Sequence, residues 1–482
     1  LSANDGKIRG VPSQPAQPAP FKKGDSIELI IESLAFGGKG VAKVEGMAVF
    51  VERVVPGQKV LARIIKKKKS YAEAYPLEVL ERAPNEITAK CPAFGVCGGC
   101  RLQNLEYGDQ LLEKTRQVRD LVQRVGGFAG FDVPTALASP AEFHYRNKME
   151  FTFTGQPWRN HPDDEDKPFG LGQHIPGRFD KIVHLETCYL QKPIMNDIMN
   201  FVFAFGEEHH WEAYNTKTHV GWARNLVLRY GEHTDEIMVN LVTRTWDEAH
   251  MQVFKAAIMA QFPQITTLIN SVTTRLSDVA VGEKEYVLQG TGKIRDRLKD
   301  AEFEISANSF FQTNTRQAEV LYDEALKGAE LQGGEVVYDL YCGTGTIALF
   351  LAKTAKKVYG FELIASSVKN ARRNAKAQGL DNVEFILGDL KDVLSQNTGR
   401  IEPADVIIVD PPRAGLHQNV IDDILKVAPK RLVYVSCNPS TLARDLKLIC
   451  ETDYELKRVQ PVDMFPHTTH IETVAHLVRT TN

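Results

Sequence analysis

The stretch DLYCGTGTIA at residues 339–348 spans the junction of two apolar runs, VVYDLY and TIALFLAKTA, so a buried strand turns through glycines into a helix. Gly343 and Gly345 let the backbone approach a ligand closely, and with Ala348 the turn satisfies G-x-G-x-x-A. From about Glu335 strands and helices alternate through KVYGFE, SSVKNARRNAKAQ, VEFILGDL, DVIIVD, VIDDILKVA, RLVYVSC and PSTLARDLKLI to two closing strands. That alternation predicts a mostly parallel, doubly wound sheet with ligands at the strand C-termini. Glu362, nineteen residues beyond Gly343 and at a strand end, is placed to accept hydrogen bonds from a ribose diol. The glycine turn alone does not separate a nicotinamide dinucleotide from S-adenosylmethionine.

The segments downstream separate them. Gly388-Asp389 ends the third strand, where a carboxylate reaches an adenine amino group, and Asp410-Pro411-Pro412-Arg413 ends the fourth with a turn that fixes the backbone beside a reacting centre. Residues 335–480 thus resemble a class I S-adenosylmethionine-dependent methyltransferase. Ser436-Cys437-Asn438-Pro439 ends the fifth strand, and Pro439 is suited to start the next helix. At an ordinary pKa near 8.5 about 3% of the Cys437 thiol is ionised at pH 7, so a nearby cation or the helix N-terminus is expected to lower it. A methyltransferase needs such a thiolate when the acceptor is uracil C5: addition at C6 turns the ring into an enolate whose C5 attacks the methyl group. A base must then remove the C5 proton, and His467, His470 and Glu472 lie together in HTTHIETVAHL. Burial at the head of the last strand is expected to raise the Glu472 pKa into the useful range. Cys342 and Cys450 read as small core residues.

Asp410-Pro-Pro-Arg, Ser436-Cys-Asn-Pro-Ser and His470-Ile-Glu-Thr-Val together resemble the RNA uracil-5-methyltransferases of the RumA/TrmA type. The resemblance implies that Cys437 is the nucleophile, Glu472 the proton-abstracting base and Asp410 a carboxylate at the reacting centre that also borders the cofactor. Asn308-Ser-Phe-Phe-Gln312-Thr-Asn is similar to the family's preceding motif, whose Gln contacts the cofactor; Tyr341, Gly343, Gly345, Glu362 and Asp389 complete that implied site. Thr346 stands where many relatives carry Asn.

Outward from this region, 482 residues suggest about three domains, and 43% hydrophobic with 25% charged residues excludes disorder, collagen and coiled coil as the main plan. No apolar run approaches the roughly 18 residues of a spanning helix and no signal pattern is evident, so a cytoplasmic protein with no membrane partner is expected. A formal charge of −3 gives no global basic balance. Residues 1–20, with VPSQPAQPAP, read as a disordered tail. Residues 21–83 alternate short strands with turns and carry twelve Lys or Arg against eight Asp or Glu, concentrated in Lys66 to Lys69. This predicts an OB-like β-barrel with a basic face for nucleic acid. Residues 84–314 read as a central mixed α+β domain with a helix at about 106–125, β-rich runs, one further helix in DEAHMQVFKAAIMAQF and an acidic segment at 161–166. Residues 315–482 form the methyltransferase domain, and the whole is an α/β multidomain chain. RNA contacts are expected at Tyr145-Arg146-Asn147-Lys148.

Cys91, Cys97 and Cys100 give C-x5-C-x2-C, and Cys188 follows after 87 residues. Four thiolates satisfy either zinc or an iron–sulfur cluster; the uneven spacing and Gly98-Gly99 turn lean towards the cluster. The spacing is similar to that of the rRNA-directed RumA/RlmD branch, which implies a [4Fe–4S] cluster of structural role, and the barrel resembles a TRAM domain. The tRNA-directed branch characteristically lacks both, so 23S ribosomal RNA is the expected substrate and partner, with a monomer sufficient. A tRNA uracil-5-methyltransferase and a non-catalytic RNA-binding ribosome assembly factor are the alternatives. A dinucleotide oxidoreductase leaves Cys437 without a task.

Overall fold

The computed structural model describes residues 21–159, 167–277, 279–397 and 399–480; the expected tail at 1–20 and the acidic segment at 161–166 lie outside the described residues. The chain divides after Pro84 into two compact units. In the first, β1 (Ser26–Ile30), β2 (Ser33–Leu34), β3 (Gly40–Val44), β4 (Met47–Val51), β5 (Lys59–Lys67) and β6 (Tyr71–Glu81) form a sheet ordered β1-β5-β6-β4-β3-β2. Residues 26–34 act as one bent strand whose first half pairs with β5 and second half with β3. At the bend the Ile31 N–H donates to Gln58 O at 2.9 Å and the Glu32 N–H to Val41 O at 2.8 Å. The sheet therefore closes on itself, giving the small barrel that the turn spacing predicts. Val60, Ala62, Ile64, Ala72 and Ala74 point inward and are fully buried, small side chains suiting a narrow interior. Lys66 to Lys69 are all exposed at the β5–β6 turn. Lys66 is partly neutralised by Glu73 at 2.6 Å, and Lys67 donates to Phe21 O at 2.7 Å.

The second unit begins with the cysteine segment and α1 (Tyr107–Arg124). Then follow β7 (Lys148–Thr154), β8 (Gly170–Ile175), β9 (Arg178–His184), α2 (Pro193–Glu208), β10 (Ala223–Tyr230), β11 (Ile237–Thr243), α3 (Glu248–Gln261), β12 (Ile265–Val272) and β13 (Lys284–Gln289). The seven strands are ordered β13-β12-β11-β10-β7-β8-β9. Two helices, α2 and α3, pack on this sheet where the β-rich reading expects one. The Phe and Ile content of α2 reads as strand, yet Met195, Met199, Val202 and Phe205 recur at helical spacing on its buried side, and Pro193 occupies its first turn.

A hairpin, β14 (Lys293–Leu298) and β15 (Ala301–Ser306), leads to α4 (Thr315–Ala329), whose N-cap Asn314 accepts the Gln317 N–H. The remaining elements are β16 (Val336–Leu340), α5 (Thr346–Ala352), β17 (Lys357–Glu362), α6 (Ala365–Ala377), β18 (Val383–Leu387), α7 (Leu390–Asn397), β19 (Val406–Val409), α8 (Gln418–Val427), β20 (Arg431–Ser436), α9 (Pro439–Cys450), β21 (Tyr454–Val462) and β22 (Glu472–Arg479). Their sheet order is β18-β17-β16-β19-β20-β22-β21, with the first five strands parallel and β22 inserted antiparallel between β20 and β21. The order reverses between β16 and β19, which places the ligand crevice beyond their C-terminal ends. The two seven-stranded sheets share one compact unit because their core is continuous: Met238 and Ile269 of the first sheet belong to the same buried cluster as Val337, Ile408 and Val433 of the second. Among the described residues no helix is long and apolar enough to cross a membrane.

Candidate active site

The glycine turn after β16 is held open by its own packing. Gly345 has φ +82°, and a Cβ there would lie 2.7 Å from the Phe385 ring; Gly343 has φ +55° and open space where a Cβ would stand. Tyr341 adopts φ +65°, a conformation costly for an aromatic residue, and lines a cleft of about 620 Å³ with Asp389, Pro412 and Arg444. The Glu362 carboxylate is oriented by two backbone donors, the Gly343 N–H at 3.0 Å and the Ile364 N–H at 2.8 Å. Asp389 accepts the Lys391 N–H at 3.0 Å. Leu363, Ile364 and Leu387 stand exposed at the ends of β17 and β18, an apolar rim that sequence patterning did not single out because each merely ends a buried strand. Gln312 is held through its carbonyl by Asn147 Nδ2 at 2.8 Å.

The reacting groups expected from the sequence converge at the same sheet edge. Ser436 of β20 pairs with Thr473 of β22, so one step further in this antiparallel register Cys437 faces Glu472. Asp410 follows β19 directly beside them, and Pro439 opens α9 behind an Asn438 cap, as its position suggests. Cys437 is half-buried and Glu472 buried. Burial, reinforced by the Glu472 and Asp410 carboxylates and opposed by Arg413, pushes the Cys437 thiol up to about 11. This is opposite in direction to the lowering expected from the sequence: burial raises the thiol most, two acids add to it, and Arg413 with a backbone hydrogen bond does not outweigh them. Glu472 is raised well above the usual carboxylate range by burial and by Asp410. Asp410 is partly exposed as a residue, yet desolvation of its carboxyl raises it to about 7.

An acid raised in this way stabilises the fold by holding its proton and loses that contribution as pH rises through about 7. Asp410→Asn is therefore expected to be more stable than the parent at pH 8, by roughly 1–3 kcal/mol, with the gap closing as pH falls from 7 towards 4. Thermal melts at pH 5 and 8 measure this; an equal gap at both pH values contradicts it.

The two histidines near Glu472 are placed differently. His470 is exposed as a residue, but its ring is partly desolvated with Nδ1 at 3.3 Å from Arg413 Nη2, and that desolvation together with Arg413 lowers it to about 4. His467 is buried, stacked on Phe143 at 4.2 Å, and lowered by burial to about 4. Arg413, quoted within its motif but given no role by sequence reasoning, is the cation that opposes the upward shifts of both Cys437 and Glu472. Tyr322 was also missed: it is buried on α4, and its ionisation is opposed by burial and by Asp410, Asp339 and Glu472. Nothing in its helical position signals that neighbourhood.

Cys91, Cys97, Cys100 and Cys188 line one cavity of about 310 Å³ with Arg146, Lys148 and Thr313. Burial raises all four thiols, Cys97 to about 11 and Cys100 to about 12, and repulsion between thiolates adds to the shifts of Cys97, Cys100 and Cys188. Among the described residues no three Cys, His or carboxylate groups sit closely enough to hold a single ion. Two of the expected RNA contacts are structural instead: Tyr145 is buried with its hydroxyl donating to Pro466 O at 3.0 Å, and Asn147 is buried between Gln312 and Thr315. Arg146 and Lys148 retain partly exposed side chains.

A family model described as tRNA (uracil-5-)-methyltransferase matches residues 231–480, and the TRAM domain model matches residues 20–77. A Chlorobaculum tepidum protein described as an uncharacterized RNA methyltransferase is 46% identical over 467 residues, covering 94% of this chain and 96% of its own length. A similarly described Halalkalibacterium halodurans protein is 40% identical over 461 residues, covering 96% and 98%. The crystal structure of Pyrococcus abyssi tRNA (uracil-54, C5)-methyltransferase in complex with S-adenosyl-L-homocysteine superposes with a TM-score of 0.74 at 30% identity, over 94% of this chain and all of that one. The chain accordingly belongs to the tRNA (uracil-5-)-methyltransferase family of S-adenosylmethionine-dependent RNA uracil methyltransferases, with a TRAM domain ahead of its catalytic fold.

Proposed function

We propose that this protein methylates C5 of a uridine in 23S ribosomal RNA, with Cys437 as nucleophile, Glu472 as base and Asp410 as the carboxylate between them and the cofactor. The observation that carries the reading is the register that sets Cys437 opposite Glu472 beside the crevice of the sheet. S-adenosylmethionine supplies an electrophilic methyl group and a positive charge. Gln312, Tyr341, Glu362 and Asp389 are the side chains to hold it, and Gly343 and Gly345 leave the backbone room. A cation beside Cys437, Asp410 and Glu472 opposes all three upward pKa shifts, so the thiolate is expected in the loaded site. The Cys437 sulfur adds to uracil C6 as the C5–C6 electron pair moves into the C4 carbonyl; the enolate returns that pair through C5 to form the new C–CH3 bond, while the methyl's bond to the sulfonium sulfur would break and leave its electron pair on a neutral thioether as leaving group. Glu472 then takes the C5 proton, the C5–C6 double bond reforms and the C6–S bond breaks, releasing thiolate. The target base must leave its stack, at a few kcal/mol that RNA contacts offset. The exposed Lys68 and Lys69 of the barrel suit the RNA backbone.

The four cysteines are proposed to hold a [4Fe–4S] cluster. Four thiols around one cavity are the ligand set that such a cluster takes. Backbone N–H groups already aimed at these sulfurs, such as Gly99 to Cys97 Sγ at 3.4 Å, suit bridging charge. Cys188→Ser is expected to lose bound iron and visible absorbance after anaerobic purification, and iron retained at the parent level would contradict the assignment.

tRNA is the second reading. The Pyrococcus protein is named for tRNA and covers 94% of this chain, too much to lack both barrel and cysteine segment, so those two features do not by themselves separate the substrates. Methyl transfer from labelled S-adenosylmethionine to unmodified 23S rRNA and, separately, unmodified tRNA decides. Label at uracil C5 in rRNA supports the proposal; label confined to tRNA moves the substrate; label in neither leaves RNA binding as an assembly factor.

A further inference from the structure

His467, a base candidate by sequence, is instead bound through its backbone and its Nδ1 to the segment that follows Cys100 and to α1. Its carbonyl accepts two successive backbone donors, the Arg101 N–H at 2.8 Å and the Leu102 N–H at 3.0 Å. Its own N–H donates to Gln110 Oε1 at 2.9 Å, while Gln110 Nε2 lies 3.1 Å from its Nδ1. Gln110 is itself fixed by donating to Leu105 O at 2.8 Å. The ring stacks on Phe143, and the backbone holds φ +65°. A left-handed conformation at a non-glycine residue is stable only where surroundings over-determine it, and here they do. One turn along α1, Lys114 pairs with Asp463 at 2.6 Å and donates to Phe465 O at 3.1 Å, with both charged side chains fully buried. The loop 463–470 is thereby bound to α1 and to the residues beside Cys100, and it delivers the chain into Glu472 five residues after His467.

We infer that His467 is a positioning residue: it fixes the Glu472 loop to the Cys100 segment, so that the order of the four-cysteine site controls removal of the uracil C5 proton. This rests on the proposed thiolate mechanism and on Glu472 as its base. The coupling acts after methyl transfer and leaves thiolate addition intact.

That order of events gives the test. RNA carrying 5-fluorouridine forms an adduct with Cys437 that the base cannot resolve, because C5 then bears fluorine in place of hydrogen. With ordinary uridine an adduct persists only when proton removal fails. Gln110→Ala is expected to slow turnover at least tenfold and to raise the SDS-stable, methyl-labelled adduct on ordinary RNA several-fold, while 5-fluorouridine trapping stays within twofold of the parent. Cys100→Ser is expected to show the same adduct signature and faster hydrogen exchange across 463–472. Should Gln110→Ala prove insoluble, His467→Gly, which retains the carbonyl acceptor and relieves the backbone, gives the same signature more weakly. Equal loss of both adducts, or unchanged release in these variants, overturns the coupling. Absence of a fluorouridine adduct in the parent protein overturns the thiolate reading itself and the coupling with it.

Discussion

Cys437→Ala is expected to reduce methyl transfer below detection, a loss of at least about 10⁴-fold, because uracil C5 is too weak a nucleophile to attack a sulfonium methyl unaided. The fold is expected to survive: Cys437 is half-buried at a strand end, so losing its sulfur opens no core cavity, and the melting temperature should move by no more than a few degrees. Cofactor binding, measured by calorimetry with S-adenosylhomocysteine, should also persist. Activity above about 1% of the parent would remove Cys437 from the role of nucleophile. With its thiol at about 11, roughly one molecule in a thousand carries a thiolate at pH 8 without ligands. Alkylation of Cys437 by iodoacetamide should therefore be slow in the ligand-free protein and quicken when a sulfonium cofactor is added. That acceleration separates a thiolate made by the loaded site from one already present.

Much of the catalytic fold was legible because its signals are local. VVYDLY, the glycine turn and Pro439 each declare a strand end or helix start through backbone chemistry, and β16, α5 and α9 fall where those signals lie. Cys437 and Glu472 were legible as a thiol and a carboxylate at strand ends, but their confrontation depends on β22 inserting between β20 and β21, which no spacing along the chain encodes. The direction of the Cys437 shift failed for the same reason: it follows first from burial and then from Glu472 and Asp410, which are 35 and 27 residues away in sequence and become its neighbours only in the sheet. Tyr145 and Asn147 look like polar RNA contacts in a string of letters, and their burial against Pro466 and Gln312 arises from packing across more than 160 residues. α2 was hidden by composition, since Phe, Ile and Val favour strands until their spacing is weighed.

Glu472→Gln is expected to stop turnover by at least about 10³-fold at a different point from Cys437→Ala. The amide keeps the size and one acceptor of the side chain at a buried position, so the sheet should persist and may not be used to explain a loss. It cannot take the C5 proton. Thiolate addition and methyl transfer remain available, and the product of those steps is RNA joined to Cys437 through C6 with the new methyl already on C5. The variant should therefore transfer up to one methyl per enzyme in a single burst and retain it in an SDS-stable adduct, whereas Cys437→Ala forms none. Neutralising Glu472 also removes a carboxylate that raises the Cys437 pKa, so the burst should appear at lower pH than addition in the parent protein. Denaturing gels with methyl-labelled cofactor, run against pH, read both effects at once. Multiple turnovers without adduct would assign proton removal elsewhere, and Asp410, at about 7 and beside the same edge, is the next group to replace.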